Sequence, residues 1–481
     1  MATLTAPAPS PAQITLYTDV ADRVTALITA GTLRPGARIP SVRKLSRQFK
    51  VSISTVLQAY RLLEDRGHVE AKPQSGYYVK SRFWQRPPEP ERTQPPKRTT
   101  KVTIGDMATR VLQEARRPGI VMLGAALSGS DVLPVRQLNR IAAAVGRRSP
   151  KAGATYDVPP GCEMLRVQIA RRALDAGITV SPDHVVTTSG CQEAIALCLR
   201  AVTKPGDTVA VESPTFYGIL QLLELLGLRA LEIPTDPRTG VCLSALQGLL
   251  DANKSVRACL FVNNFNNPLG SLVPDDDKRK LVELLAAREI PLIEDDIYGE
   301  LGFAPARPSA AKAYDKTGNV LLCSSFSKTI APGYRVGWCL PGKHQAQFER
   351  AKLFSNIATA TIPQLAIAEY LAAGGYDHHL RRIRRTYQQQ IARMSDAVQE
   401  YFPAGTKLTR PQGGFVLWVE LPAGVDTLAL HDRALEHNIS IAPGPIFSPS
   451  GKYANCLRLN CEAEWSDTLE RAIETLGKLT S

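Results

Sequence analysis

Residues 81–101 of this 481-residue chain run Ser-Arg-Phe-Trp-Gln-Arg-Pro-Pro-Glu-Pro and onward to Lys101, dense in proline and charge and without apolar periodicity. Such a stretch cannot build a packed core and is extended and semi-rigid where prolines cluster. It divides the chain into an N-terminal module (1–80), a linker (81–106) and a large body (107–481), and the length alone argues for at least two domains. Charge divides at the same place. Residues 1–101 hold 17 Lys+Arg against 7 Asp+Glu, a net +10 of the chain's +13, which leaves +3 for everything after them. A basic module on a near-neutral body is the electrostatic footprint of a nucleic-acid binder, and a solvated basic surface is the plainer alternative.

Composition excludes other classes. Hydrophobic residues make up 44% of the chain, but no apolar run reaches membrane-spanning length. Met1–Ser10 lacks the basic start and apolar run of a secretory signal, so a cytoplasmic protein without membrane contact is expected. The nine cysteines lie between Cys162 and Cys461 with no CxxC pair, and the seven histidines show no HExxH grouping. Reduced thiols and no metal site are the expectation.

In the N-terminal module Leu16, Val20, Val24, Leu27 and Ile28 recur at helical spacing up to Gly31. Pro35-Gly36 is a turn. Ser41 is placed to cap a short helix to about Phe49. Ser52 starts a second helix with Val56, Leu57, Tyr60 and Leu63 as its inner face and Gly67 as its stop. His68 to Lys80 reads as two short strands around Gln74-Ser75-Gly76. Helix, helix-turn-helix and hairpin make a winged helix-turn-helix. Pro35 to Arg43, Val51 to Val56 and Ala59 to Glu64 resemble the GntR-family DNA-binding domain, over roughly residues 16–80. The resemblance implies that the helix from Ser52 enters the major groove of a double-stranded operator. Its contact candidates are Arg38, Arg43, Ser52, Ser54 and Thr55, with Gly76 at the wing tip. Ile53 stands where that family commonly has arginine, which removes one phosphate or guanine contact. A helical protein-interaction domain is the alternative.

From about Ile104 helical and strand patterns alternate, as in an α/β domain. One stretch there, Ser324-Ser325-Phe326-Ser327-Lys328-Thr329-Ile330-Ala331-Pro332-Gly333-Tyr334-Arg335, sets a lysine among hydroxyl residues and an arginine two places past a Pro-Gly turn. Strand-like Val185 to Thr188 runs into Ser189-Gly190-Cys191-Gln192, which opens a helix and leaves backbone N–H groups free for an anion. Further motifs follow in order: Glu212-Ser213-Pro214-Thr215-Phe216, Asn266-Asn267-Pro268-Leu269-Gly270, Glu294-Asp295-Asp296-Ile297-Tyr298 and Leu457-Arg458-Leu459-Asn460. Each has a bland reading on its own: an α/β turn, a core phenylalanine, an Asn-Pro turn, a surface lysine, a structural salt bridge.

Together, over roughly residues 107–481, these motifs resemble the fold-type I, class I aminotransferases. The resemblance implies a large α/β subdomain, a smaller C-terminal one, and pyridoxal 5'-phosphate as cofactor. It assigns Lys328 as the catalytic lysine that binds the cofactor aldehyde. Gly190, Cys191, Gln192, Ser325 and Arg335 fall at the phosphate, Phe216 on the ring face, Asn267 and Tyr298 at the ring oxygen, and Asp295 at the ring nitrogen. Arg458 clamps a ligand carboxylate. Tyr156, in Tyr156-Asp157-Val158-Pro159-Pro160-Gly161, reaches a neighbouring subunit's phosphate, which implies a homodimer with shared sites. The two parts joined are similar to the MocR-type subgroup of GntR regulators. The expectation is a transcription regulator that senses an amino acid or amine through aldimine exchange at Lys328. A working aminotransferase with a 2-oxo acid acceptor, and a sensor of pyridoxal phosphate itself, are the alternatives.

Overall fold

The computed structural model describes residues 16–29, 32–34, 36–65, 68–72, 75–79, 87–114, 117–126 and 132–480. The expected helix stops at Gly31 and Gly67, Pro35 and Gln74 of the two turns, Lys80, Met1–Ser10 and linker residues 81–86 lie outside the described residues. The chain groups into two compact units, 1–86 and 87–481.

In the first unit α1 (Leu16–Thr29), α2 (Val42–Phe49) and α3 (Ile53–Asp65) precede a hairpin of β1 (Val69–Lys72) and β2 (Gly76–Val79). Val69 pairs with Val79 and Lys72 with Gly76, antiparallel. The Ser41 hydroxyl accepts from the Lys44 amide at 3.3 Å and caps α2. Ser52 Oγ accepts from the Thr55 amide at 3.1 Å at the start of α3. Each oxygen satisfies an amide that the first helical turn leaves without a partner. Val20, Val24, Ile28, Leu45, Val56, Tyr60 and Leu63 form one buried core. The inner face of α3 differs from expectation at Leu57, which is 38% exposed. Val56, Ala59, Tyr60 and Leu63 fill the i, i+3, i+4, i+7 stripe, and residue 57 falls outside it.

The second unit is built on a nine-stranded sheet. Its strands are β3 (Thr100–Lys101), β4 (Val186–Thr188), β5 (Thr208–Ser213), β6 (Arg229–Asp236), β7 (Val256–Phe261), β8 (Leu292–Asp295), β9 (Val320–Ser325) and β10 (Gly337–Leu340), in the order β3-β6-β5-β7-β8-β9-β10-β4. The ninth, Gly240–Val241, pairs beside β6. From β6 to β9 all neighbours are parallel. The core of this sheet, β5, β7, β8 and β9, is almost entirely buried, as a sheet covered on both faces must be. Helix α4 (Cys191–Val202) follows β4. A smaller antiparallel sheet orders β11 (Lys407–Leu408), β12 (Val416–Glu420), β14 (Cys456–Asn460) and β13 (Ala442–Pro443) as β11-β12-β14-β13.

The stretch read as linker behaves differently from Pro87 onward: it is fastened to the body. Thr93 exchanges hydrogen bonds with Thr235, amide to carbonyl at 3.1 Å and Thr235 amide to Thr93 Oγ1 at 2.9 Å. The Thr93 hydroxyl also lies 2.5 Å from the Ser213 carbonyl. The Leu408 amide donates to the Pro88 carbonyl at 2.9 Å, and β3 pairs antiparallel with β6. Backbone groups bonded this way turn a proline-rich strap into an added edge of the body.

Candidate cofactor site

Open α/β sheets bind ligands beyond the carboxyl ends of their parallel strands, and the motif residues gather there. Ser213 ends β5, Asp295 ends β8, Ser325 ends β9, and Asn267 follows β7. A cavity of about 230 Å³ is lined by Cys191, Gln192, Phe216, Asn267, Asp295, Tyr298, Ser325, Lys328 and Arg335, together with Ala125, Ala126 and Tyr217.

One end of the cavity suits an anion. Gly190 precedes α4 at φ +90°, and a Cβ there would come 2.4 Å from Arg335 Nη2. The glycine therefore lets the guanidinium lie against the helix start. Arg335 itself holds a left-handed backbone, φ 53°, a conformation seldom adopted by non-glycine residues. It donates to the Ser189 carbonyl at 2.9 Å. The Ser325 hydroxyl accepts from the Ser327 amide at 3.2 Å. Helix N–H groups, a guanidinium and serine hydroxyls form the donor set a phosphate requires.

The middle of the cavity suits a flat ring. Phe216 is half-buried there, and a Cβ at residue 218 would sit 2.4 Å from its ring, so Gly218 permits its position. Asp295 accepts from the Cys191 thiol at 3.2 Å and the Ile297 amide at 3.1 Å. Burial pushes its carboxyl up to about 6. Asn267 Nδ2 donates to the Tyr298 hydroxyl at 3.4 Å, and burial holds that phenol well above the usual tyrosine range.

Lys328 Nζ donates to the Ala126 carbonyl at 2.7 Å. Burial, then the Arg458 charge, push its amine down to about 8, so a neutral, nucleophilic fraction is present near neutral pH. Arg458 is completely buried. Nη1 donates to Asn267 Oδ1 at 3.0 Å and Nη2 to the Gly124 carbonyl. Its Nε has no hydrogen-bond partner among the described residues, and its guanidinium lies over the Phe447 ring at 5.2 Å. The salt-bridge reading of Arg458 is not what is seen: its partners there are neutral.

Tyr156 is not brought to this cavity. It is 77% exposed. In the N-terminal unit the Ser52 hydroxyl bonds Ser54 at 2.8 Å and Thr55 at 2.7 Å, while Arg38 and Arg43 are exposed. A Cβ on Gly76 would lie 3.3 Å from Arg38 Nε, so Arg38 rests against the wing.

Sequence reading missed several of these neighbours. Gly124 and Ala126 meet Arg458 and Lys328 from 334 and 202 residues away. Glu212, buried beneath the site, accepts from the Val262 amide at 2.8 Å and is pushed up to about 8 by burial. Cys198, Cys323 and Cys339, far apart in sequence, converge with Sγ atoms within 4.8 Å. Cys323 and Cys339 stand opposite each other on paired strands.

Residues 16–79 match the model of bacterial regulatory proteins of the gntR family, and residues 130–476 match that of aminotransferase class I and II. YjiR of Escherichia coli (strain K12), described as an uncharacterized HTH-type transcriptional regulator, is 40% identical over 97% of this chain and 98% of its own length. YdcR of the same organism, described in the same words, is 41% identical over 96% of this chain and 98% of its own. The chain belongs to the MocR-type regulators of the GntR family. Like solved aminotransferases, this MocR-type chain has the fold-type I body. The α-aminoadipate aminotransferase LysN from Thermus thermophilus superposes with a TM-score of 0.70 at 27% identity, covering 79% of this chain and 98% of that one. The Pyrococcus horikoshii kynurenine aminotransferase gives 0.72 at 28%, covering 78% and 94%.

Pyridoxal 5'-phosphate is the cofactor of this fold family, and the residues of the MocR-type body fit it. The glycine-lined anion cradle, the half-buried aromatic face, the buried carboxyl and the depressed lysine occupy one cavity. No helix among the described residues is long and apolar enough to cross a membrane.

Proposed function

We propose that this regulator binds an operator through its N-terminal unit and senses an amino acid or amine in the cavity of its body. The observation that carries the reading is the pairing of Lys328 with Arg458. A lysine pushed down to about 8 lines the cavity, and a fully buried guanidinium with an unpaired Nε is bonded to Asn267 of the cavity wall, on a chain that also carries a winged helix-turn-helix. Pyridoxal phosphate, when bound, supplies an aldehyde open to exchange with primary amines and a ring that withdraws electrons.

The chain's own residues do the rest. Arg335, Ser325 and the amides at the start of α4, from Cys191 and Gln192, hold the phosphate end. Phe216 excludes water from one ring face. Asp295 offers a carboxylate to the ring nitrogen, Asn267 and Tyr298 offer donors to the ring oxygen, and Arg458 takes a ligand carboxylate in a two-pronged grip. Once an incoming amine displaces it, Lys328 serves as a proton acceptor at the ligand α-carbon. Tyr156, exposed and away from its own cavity, is assigned to the second site of a homodimer. Arg38, Arg43, Ser52, Ser54, Thr55 and the Gly76 wing are assigned to the operator. A cytoplasmic location follows from that role.

The effector shifts DNA binding only through different affinities for two states of the body. Absorbance of the purified protein during titration with a panel of amino acids tests the sensing step. A Lys328-dependent band that a few amines shift supports it, and a band that no amine shifts overturns it. A second reading, a working aminotransferase, is supported by the complete residue set and by 30% identity to the 2-aminoadipate transaminase of Thermus thermophilus, over 76% of this chain and 92% of that one. Sustained turnover with a 2-oxo acid would favour it.

A further inference from the structure

We propose that the outward face of α3 reads A·T base pairs through thymine methyl groups, with Ile53 and Leu57 as the reading side chains. The inference rests on the operator-binding reading above and adds what that operator contains.

Ile53 is 51% exposed and Leu57 38% exposed. They stand four residues apart and so share one face of the helix. Neither is needed for the core, which α3 supplies with Val56, Ala59, Tyr60 and Leu63. Two large aliphatic side chains are thus held in water at the end of α3 that a winged helix-turn-helix inserts into the major groove. Burying them gives the helix an apolar reason to dock.

Charge decides what covers this face. Arg43, Lys44 and Arg47 on α2 and Lys50 in the turn leading to α3 are all exposed. A second copy of the same unit would bring like charges together, whereas a polyanionic duplex complements them. Within the groove, the thymine C5-methyl is the apolar group a base presents.

The residues beside this face bear on the reading as well. From Val51 to Tyr60 there is no lysine or arginine, so the first two turns offer no cationic fork to guanine O6 and N7, and the first cation of α3 is the exposed Arg61, one turn beyond Leu57. Gln58 is exposed one place beyond Leu57, and glutamine matches adenine N6 and N7. Ile53 occupies the place where the family resemblance anticipated an arginine. The substitution therefore changes what is read: a methyl group in place of a guanine or phosphate.

The test begins by selecting bound duplexes from a random library with the full-length protein. Each thymine of the selected site is then replaced by uracil, which removes the methyl group and leaves the base pair intact. The expected site is A·T-rich in each half. Uracil at one or two positions per half-site weakens binding about fourfold each, the worth of one buried methyl. Ile53→Ser and Leu57→Ser, both surface changes, each abolish the uracil penalty at one position, and Ile53→Val retains it. Sites rich in G·C, indifference to uracil at every position, or a penalty that persists in the serine variants would overturn the inference while leaving DNA binding intact. Failure to enrich any sequence would overturn the operator reading itself, and this inference with it.

Discussion

Arg458 Nη1 donates to Asn267 Oδ1 at 3.0 Å, while the amide nitrogen of the same asparagine donates to Tyr298. The residue assigned to the ligand carboxylate and the two assigned to the cofactor's ring oxygen are thus joined in one hydrogen-bonded chain. Under these assignments, a carboxylate that takes Arg458 Nη1 competes with Asn267 Oδ1 for the same donor.

This linkage separates two ligand classes. Arg458→Lys keeps the charge and loses the fork. Affinity for amino acids should fall by roughly ten- to hundredfold, the worth of a charge-assisted hydrogen bond at about 1.5–3 kcal/mol. Affinity for amines without a carboxylate should change little. Spectroscopic titration with paired amino acids and amines measures the difference.

Stability of the cofactor-free chain should depend on pH through three buried groups. Asp295 is pushed up to about 6 and Glu212 to about 8, both by burial. The unfolded chain loses these protons near pH ~4, so each carboxyl costs stability as pH rises from there until its folded value is passed. Lys328, down to about 8, costs stability below that pH, and the cost disappears as pH climbs toward ~10.4. The thermal midpoint should therefore fall from pH 5 to 8 and recover toward pH 10. In Glu212→Gln the decline between pH 6 and 8 should flatten.

Gly190→Ala tests the anion cradle. Its Cβ would lie 2.4 Å from Arg335 Nη2 at a backbone φ of +90°, so the guanidinium must move or the turn must strain. Pyridoxal phosphate affinity, followed by absorbance, should fall by at least about tenfold, one charge-assisted contact. Pyridoxal without phosphate should bind the variant and the parent alike.

The strap from Pro87 is the part of the linker that belongs to the body. Next to Thr93, Ser213 Oγ donates to Glu232 at 2.6 Å, and Glu232 also accepts from Ser448 at 2.8 Å and Ser450 at 2.6 Å. β5, β6 and the loop carrying Phe447 are thereby fastened at one carboxylate, and the strap is bonded to the backbone of the same β5 residue, Ser213. Thr93→Val should destabilise the body by about 1 kcal/mol and speed hydrogen exchange at the Thr93 and Thr235 amides, which are expected to be slow in the parent chain.

The motifs that end parallel strands were readable because chemistry and topology impose the same residues there. A strand end must turn, and Asn267, Asp295 and Ser325 do so while pointing at one cavity. The caps Ser41 and Ser52 were legible for a similar local reason. Contacts across hundreds of residues leave no local trace, so the Gly124 and Ala126 carbonyls and the three-thiol meeting could not be read. Leu57 was misplaced because a helix with apolar residues on more than one face does not announce which face is inner. The strap deceived in the opposite sense: its composition is that of a free linker, and only the open edge of β6 and the carbonyl ends around Ser213 give it a seat.

Operator affinity measured with and without candidate amines, in the parent chain and in Lys328→Ala, both saturated with pyridoxal phosphate, tests the central claim most directly. The account predicts that at least one amino acid or amine changes the affinity of the parent chain by about fivefold or more, a coupling of about 1 kcal/mol, and leaves Lys328→Ala unchanged. An equal response in the variant, or no response to any amine, would contradict it.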